Sequence, residues 1–213
     1  MAKRAVRRAP EQERSVISMN RMIEVGEQLF YEGGSSALTL NAVLERSETS
    51  TGSFYARFGD MRGYFNAMHE HVLEVVSAEF LKAFSSASKE PDLESAVRTI
   101  CIETFKVVSQ HRFALFFFAV GNLHDPEGRA TGNEFRHTMT DMTIQLMKSH
   151  LPNSSSMAVK RRLDIAARMG VAALYQQIML DEKEISPLVI KQKDLATALA
   201  DMMCFYVRAK PSK

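Results

Sequence analysis

Apolar residues recur every three or four positions along almost the whole chain, and no segment shows the apolar-polar alternation of a strand. In residues 14–32 this spacing ends at Gly33 and Gly34, which predicts an amphipathic helix with a glycine stop. The pattern predicts an all-α protein of about nine helices, with a small N-terminal unit and a larger helical body. The main loops are predicted at HDPEG (124–128), LPNSSS (151–156) and Ser186-Pro187.

The composition is that of a globular protein, with 46% hydrophobic and 24% charged residues among 213. A chain of this length buries enough surface to fold without disulfides or bound metals. The net charge is only +2, but residues 1–22 hold six basic and two acidic side chains. Such a segment is either a phosphate-seeking arm or a solubilising terminus.

Neither the first 20 residues nor the apolar runs of the chain predict an export signal or a membrane span. The first 20 residues lack the apolar core of a secretory signal. The longest apolar run, FALFFFAV (113–120), is far shorter than the roughly 20 residues that span a bilayer. Cys101 and Cys204 lie in apolar surroundings without metal-ligand spacing, which predicts buried thiols in a reducing compartment. We therefore expect a cytoplasmic protein with no membrane partner and no cofactor.

Two short helices near residue 50 are joined by only a few residues. Thr39 can cap the first, and Ser50 can cap a second helix whose buried face holds Phe54 and Phe58. Two short helices with so tight a joint are typical of a helix-turn-helix, whose second helix enters the major groove of DNA with its N-terminal residues.

The residues at the front of that second helix are small and polar. Thr51 and Ser53 can bond base edges, while Gly52 lets phosphate or sugar approach the backbone. Tyr55 and Arg57 lie on the flanks, where a phenol and a guanidinium reach phosphates. The polar front is therefore predicted to read DNA and the aromatic back to anchor the helix. The two cap residues, Thr39 and Ser50, are also predicted to contact DNA.

The segment from Ser47 to Phe58 resembles the recognition segment of the TetR family of bacterial repressors. The family's segment runs in this order: a small residue, Gly, Val, Ser, any residue, Gly, Thr or Ser, an apolar residue, Tyr, two variable residues and Phe. Gly34 and Thr39 are similar in spacing to the family's helix 1 ending and helix 2 start, and the resemblance covers residues 15–72. It implies a ligand-responsive DNA-binding transcriptional regulator, a repressor rather than an enzyme, that binds a palindromic operator as a homodimer.

The chain departs from that pattern at two positions. Glu48 stands at the usual turn glycine, and because phosphate repels a carboxylate, Glu48 must point away from DNA or weaken binding. Met61 stands where the family often has lysine, and the neighbouring Arg62 can take over the phosphate contact. A TetR-like protein that has lost DNA binding and acts through protein contacts is therefore an alternative.

The resemblance assigns residues 1–60 to an arm and DNA-binding domain and residues 61–213 to an effector-binding and dimerisation domain. It also implies a homodimer through the last two long helices, residues 157–208. Residues there pack either across that seam or inside the monomer: Leu195, Ala198, Leu199, Met202, Phe205 and Tyr206 in one stripe, and Ala166, Ala167, Gly170, Ala173 and Leu174 in the other.

The larger domain is rich in Phe, and 13 Met residues are spread through the chain. Such side chains suit an adaptable pocket for an apolar or aromatic effector, or form ordinary core. By the family mechanism, the effector shifts the separation of the two recognition helices, which then no longer match successive major grooves about 34–36 Å apart. Candidate pocket residues are Phe117, Met139, Met142, Met169 and Tyr175, with His111, His137 and Gln176 as possible polar contacts.

An enzyme is the weaker alternative. Glu134 and His137 have the spacing used in carboxylate-bridged di-iron bundles, but such a site needs two of these motifs and two further glutamates. No catalytic triad, phosphate-binding glycine loop or zinc pattern is found. We therefore expect no catalytic residue and no metal.

Overall fold

In the computed structural model, residues 8–121, 126–151 and 156–209 are described, together with their side chains except those of residues 8–14, Gly121 and Glu127. Within these ranges the chain forms ten α-helices and no strand, which confirms the all-α class. They are α1 (Arg8–Ala37), α2 (Leu40–Ser47), α3 (Thr51–Phe58), α4 (Met61–Ala87), α5 (Leu93–Gln110), α6 (Arg112–Gly121), α7 (Pro126–Ser149), α8 (Met157–Met179), α9 (Glu182–Ile185) and α10 (Gln192–Arg208).

The chain divides into two compact units, one ending at Val72 and the other beginning at Leu73. The division falls inside α4, so this helix contributes residues to both units. The functional division expected between residues 60 and 61 stays a prediction.

The helix ends of the first unit follow the sequence signals. Gly34, with φ 66° and ψ −159°, interrupts the helical backbone of α1 in a region that glycine adopts without strain. Thr39 caps α2, because its hydroxyl accepts the Ala42 N–H at 3.3 Å. Ser50 caps α3 in the same way, accepting the Ser53 N–H at 3.2 Å. Both predicted caps are confirmed.

An aromatic trio forms the centre of the first unit. Phe54, Phe58 and Tyr64 have ring centroids 5.0 to 5.2 Å apart. The Tyr64 hydroxyl donates to the Met22 carbonyl at 2.7 Å, and burial raises the pKa of this phenol. Gly26 lies over the phenol, where an added Cβ would be 2.0 Å from the hydroxyl oxygen. The trio thus locks α1, α3 and the start of α4 together.

The second unit is built around α5, α8 and α10. Both cysteines are free and buried in this core, as predicted. Burial raises the pKa of Cys101 to about 12 and that of Cys204 to about 11. At the surface, Arg98 bonds Asp201 at 2.9 Å, which ties α5 to α10.

Two details differ from the sequence predictions. The loop expected through residue 128 was wrong in its second half, because α7 begins at Pro126, and proline suits a first helical position. Residues 122–125 and 152–155, in the two predicted loops, lie outside the described residues. The additional helix is α9, where Asp181 and Glu184 form a capping box.

Candidate nucleic-acid interface and core cavity

Helix α3 has the two faces expected from its sequence. Phe54 and Phe58 are buried at 0% and 8% exposure, whereas Thr51, Gly52 and Tyr55 are exposed. No atom of the described residues lies within 4 Å of the position that a Gly52 Cβ would occupy. The front of this helix is therefore open to a large partner.

The turn between α2 and α3 is closed by Glu48. This residue adopts the left-handed conformation, with φ 53° and ψ 42°, which is uncommon for a non-glycine residue. Its carboxylate lies 3.2 Å from the Arg21 guanidinium of α1, and both side chains are at least half exposed. The acidic group is thus neutralised by a neighbouring cation, a pairing that sequence analysis missed.

Arg57 is bonded within the protein. Its Nη1 donates to the Ser53 carbonyl at 2.9 Å and also to the Ser53 hydroxyl. Its Nε donates to the Ser15 carbonyl of α1 at 3.3 Å. Sequence analysis placed Arg57 at a phosphate, and the structure places it against the polar front of its own helix.

The remaining predicted DNA contacts lie on the same unit. Thr39, Ser50 and Arg62 are exposed, and Tyr55 packs edge-on against Phe54 with centroids 5.7 Å apart. Behind them, Arg46 of α2 makes a two-bond ion pair with Glu32 of α1, at 2.5 and 2.8 Å. The hydrogen bond from Arg46 lowers the pKa of Glu32. This pair fixes α2 against α1 and so positions the turn.

A cavity of about 50 Å³ lies in the core of the second unit. Its lining is apolar except for two threonines whose hydroxyls donate to backbone carbonyls, Thr104 to Ile100 at 2.7 Å and Thr143 to Met139 at 2.8 Å. Among the described residues that line it, the one ionisable group is the thiol of Cys101, which the raised pKa keeps neutral at pH 7. The lining consists of Phe80, Phe84, Ile100, Cys101, Thr104, Phe105, Met139, Thr143, Ala167, Gly170, Val171, Leu174, Leu199 and Met203.

The predicted pocket residues are spread over several places. Met139 lines the core cavity, and Met142 lines a separate open groove of about 490 Å³ on α4 and α7. Phe117, Met169 and Tyr175 line neither space. Among the possible polar contacts, His111 bonds Glu79 at 3.1 Å, while His137 and Gln176 are exposed.

The stripes predicted for a dimer seam divide between core and surface. Ala166 and Ala167 of α8 and Leu199 of α10 are buried inside the unit. Met202 and Phe205 are 56% and 78% exposed, and Ala198 is exposed beside them. Helix α10 therefore has one apolar face in the monomer core and a second one open to solvent.

Two structural observations bear on the alternative classes. Glu134 and His137 are exposed, and within the described ranges no group of three or more His, Cys, Asp or Glu side chains is placed to hold a metal ion. None of the described helices is long and apolar enough to cross a membrane.

Comparisons with known proteins agree with this geometry. The family model "Bacterial regulatory proteins, tetR family" matches residues 22–68. No curated protein matches the chain. Among solved structures, a protein described as a TetR-family transcriptional regulator from Mesorhizobium loti MAFF303099 is similar in fold, with a TM-score of 0.70 at 11% identity. That similarity covers 89% of this chain and 96% of the other.

Two further structures have the same fold. A transcriptional regulator from Aquifex aeolicus VF5 has a TM-score of 0.59 at 16% identity, over 88% of this chain and 98% of its own. A TetR/AcrR-family regulator from Thermobifida fusca YX-ER1 has a TM-score of 0.60 at 14% identity, over 91% and 98%. The family model thus matches the helix-turn-helix region, and the fold over nearly the whole chain is similar to that of solved structures described as TetR-family regulators.

Proposed function

We propose that this protein is a homodimeric repressor that binds a palindromic operator and is released by a small neutral effector. Residues up to 60 would read DNA, and residues 61–213 would bind the effector and dimerise. The observation that carries the DNA-binding part is the open, polar front of α3 over a buried aromatic back.

Gly52 gives this observation its weight. In the first unit, Gly26 and Gly63 are required by packing, since an added Cβ would lie 2.0 Å from Tyr64 and 1.9 Å from the Phe58 carbonyl. Gly34 and Gly59 have positive φ. Gly52 has neither constraint and costs about 0.5–1 kcal/mol relative to alanine in a helix. Since stability gives no reason for glycine at position 52, we infer that the residue is there to let the backbone of a binding partner approach closely.

The DNA-binding proposal is tested by selecting bound sequences from random duplex DNA at two salt concentrations. We expect a palindrome with half-sites about 10 base pairs apart, and affinity that falls steeply with salt. Gly52→Ala is the matched variant, since it should keep or raise stability while weakening operator binding about tenfold or more. A folded wild-type dimer that enriches no sequence, with or without candidate effectors, would refute DNA reading and favour a protein-contact role.

The dimer proposal is supported by the exposed apolar face of α10. Burying Met202 and Phe205 against a second copy removes apolar surface from water, which stabilises the dimer by roughly 25 cal/mol for each Å² buried. Phe205→Asp should therefore give monomers in sedimentation velocity. Phe113→Asp is the control, because Phe113 is also exposed, at 61%, but lies on α6, outside the two helices of the proposed interface. A dimer that survives Phe205→Asp would place the interface elsewhere.

The effector proposal is supported by the core cavity. Because its lining offers no charge partner, an ionised ligand would be buried unpaired, at a cost of several kcal/mol. The cavity volume of about 50 Å³ is far below the roughly 300 Å³ of a typical ligand site, so binding requires the lining to move. The unbranched side chains of Met139 and Met203 are suited to such movement.

Toluene, benzoate and benzylammonium probe this proposal as neutral, anionic and cationic ligands that share a phenyl ring. Methionine-methyl NMR should show toluene, and not the two ions, shifting Met139 and Met203, and toluene should weaken operator binding. Gly170→Ala should weaken toluene binding, because its Cβ fits in the cavity 3.6 Å from Met203. Gly132→Ala is the control, because the nearest atoms to its Cβ are those of the Arg136 guanidinium. Stronger binding of either ion would refute the neutral-effector proposal.

A further inference from the structure

We propose that Arg57 acts on DNA through Ser53, as a positioning residue that makes the Ser53 hydroxyl a hydrogen-bond donor to bases. This inference rests on the DNA-binding function proposed above. Its basis is the forked contact in which Arg57 Nη1 donates to both the carbonyl and the hydroxyl of Ser53. Both residues are half-buried, on consecutive turns of α3.

The contact determines which role the serine hydroxyl can play. An arginine has donors only, so the Ser53 oxygen must be the acceptor in this bond. The hydroxyl proton then points elsewhere, and the adjacent positive charge makes that proton a stronger donor. The Ser53 N–H is also engaged, by the Ser50 hydroxyl at 3.2 Å. Ser53 is therefore fixed by its two neighbours along the helix. Arg57 occupies one of the two acceptor lone pairs of the hydroxyl and its positive charge weakens the other, so the proton is the stronger group left to recognise DNA.

A fixed donor discriminates among bases in the major groove. Guanine presents N7 and O6 as acceptors, adenine N7, and thymine O4, whereas cytosine presents its N4 amino donor. The base that faces Ser53 should therefore be guanine, adenine or thymine, with cytosine selected against. Without Arg57 the hydroxyl can rotate and accept from cytosine, so this preference should relax.

The same contacts disfavour a phosphate role for Arg57. Its Nε is held by the Ser15 carbonyl and its Nη1 by Ser53, so a phosphate bond through either atom would first break these contacts. A phosphate contact contributes about −0.9 to the slope of log affinity against log salt. A positioning residue does not change this slope, so measuring the slope distinguishes the positioning role of Arg57 from a phosphate contact.

The experiment uses the full-length protein and the operator selected by the wild type. Affinity, salt slope and base preference are measured for Arg57→Ala, Ser53→Ala, the double variant and Arg62→Ala. We expect Arg57→Ala and Ser53→Ala each to lose about tenfold in affinity, to admit cytosine at one shared position, and to keep the wild-type slope. The double variant should lose little more than either single variant. Arg62→Ala, the phosphate control, should keep the base preference with a slope shallower by about 0.9.

Arg57→Lys completes the design, because lysine keeps the charge but lacks the planar fork. Positioning predicts that lysine fails to restore the base preference, and a phosphate role predicts that it restores affinity. The inference is overturned by a shallower slope with unchanged preference in Arg57→Ala, or by additive losses in the double variant. If Arg57→Ala does not fold, Ser53→Ala and Arg57→Lys still decide between the two roles. A wild type that selects no DNA would instead refute the proposed function itself.

Discussion

The packing of Gly26 on Tyr64 makes Gly26→Ala a sharp test of how the first unit is held together. The added Cβ would lie 2.0 Å from the Tyr64 hydroxyl oxygen and 2.9 Å from the Met68 sulfur. An ordinary contact needs at least 3.4 Å, so the phenol must move by more than 1 Å. That movement breaks the 2.7 Å hydrogen bond to the Met22 carbonyl and disturbs the aromatic trio.

The expected loss follows from three terms. Overpacking costs about 1–3 kcal/mol. Leaving the buried Tyr64 hydroxyl without its partner costs about 1–3 kcal/mol more. Alanine gains back about 1 kcal/mol of helix propensity. The first unit should therefore be destabilised by about 3 kcal/mol.

Hydrogen exchange of peptides from α1 and α3 is the suitable assay. The chain has two compact units and no Trp, so whole-protein melting would not isolate the first unit. Gly52→Ala is the same substitution at an open site and should raise protection slightly. Adding Tyr64→Phe to Gly26→Ala should rescue part of the loss, since it removes the 2.0 Å contact but not the 2.9 Å contact with the ring. Wild-type protection in Gly26→Ala would refute this account of the packing.

Two further predictions concern the turn and the thiols. Glu48→Gly should change stability by less than about 1 kcal/mol, because relief of the left-handed backbone is offset by glycine's entropy and by the lost contact with Arg21. It should also tighten operator binding about threefold at low salt by removing a carboxylate near phosphate, and weaker binding in a titration would contradict this. Cys101 and Cys204 have pKa values raised above the ordinary 9.0, so the native state holds their protons longer than the unfolded state. The free energy of unfolding should therefore fall as pH rises above 9. Both thiols should also resist an uncharged thiol reagent at pH 8. A free energy of unfolding that stays constant from pH 8 to 10.5 would count against buried thiols.

Features of the fold with a local cause were predictable from sequence. The caps at Thr39 and Ser50 depend on residues only three positions away, and Phe54 and Phe58 share a face because they are four apart. The Arg57 contact to Ser53 has the same four-residue spacing. Sequence analysis missed it because it assigned both side chains outward to DNA.

Features that depend on long-range packing were not predictable. The cavity brings together side chains from α4, α5, α7, α8 and α10, and their sequence positions carry no signal that they meet. Met139 was predicted among many equivalent methionines, while Phe80, Thr104 and Met203 were not singled out. The Arg57 bond to Ser15 spans 42 positions, and the Arg21 pairing with Glu48 crosses from α1 to the turn.

Two residues of the helix-turn-helix go against local backbone preference, and both are exposed. Glu48 is in a conformation that glycine favours, and Gly52 is in a helix turn that alanine favours. The buried trio shows no such conflict, since its rings are packed and the Tyr64 hydroxyl is bonded. Natural proteins keep such conflicts where function requires them. Gly52→Ala should therefore raise stability and weaken DNA binding. Glu48→Gly should leave stability nearly unchanged and strengthen DNA binding. DNA affinity at this surface should then vary independently of the stability of the unit that carries it.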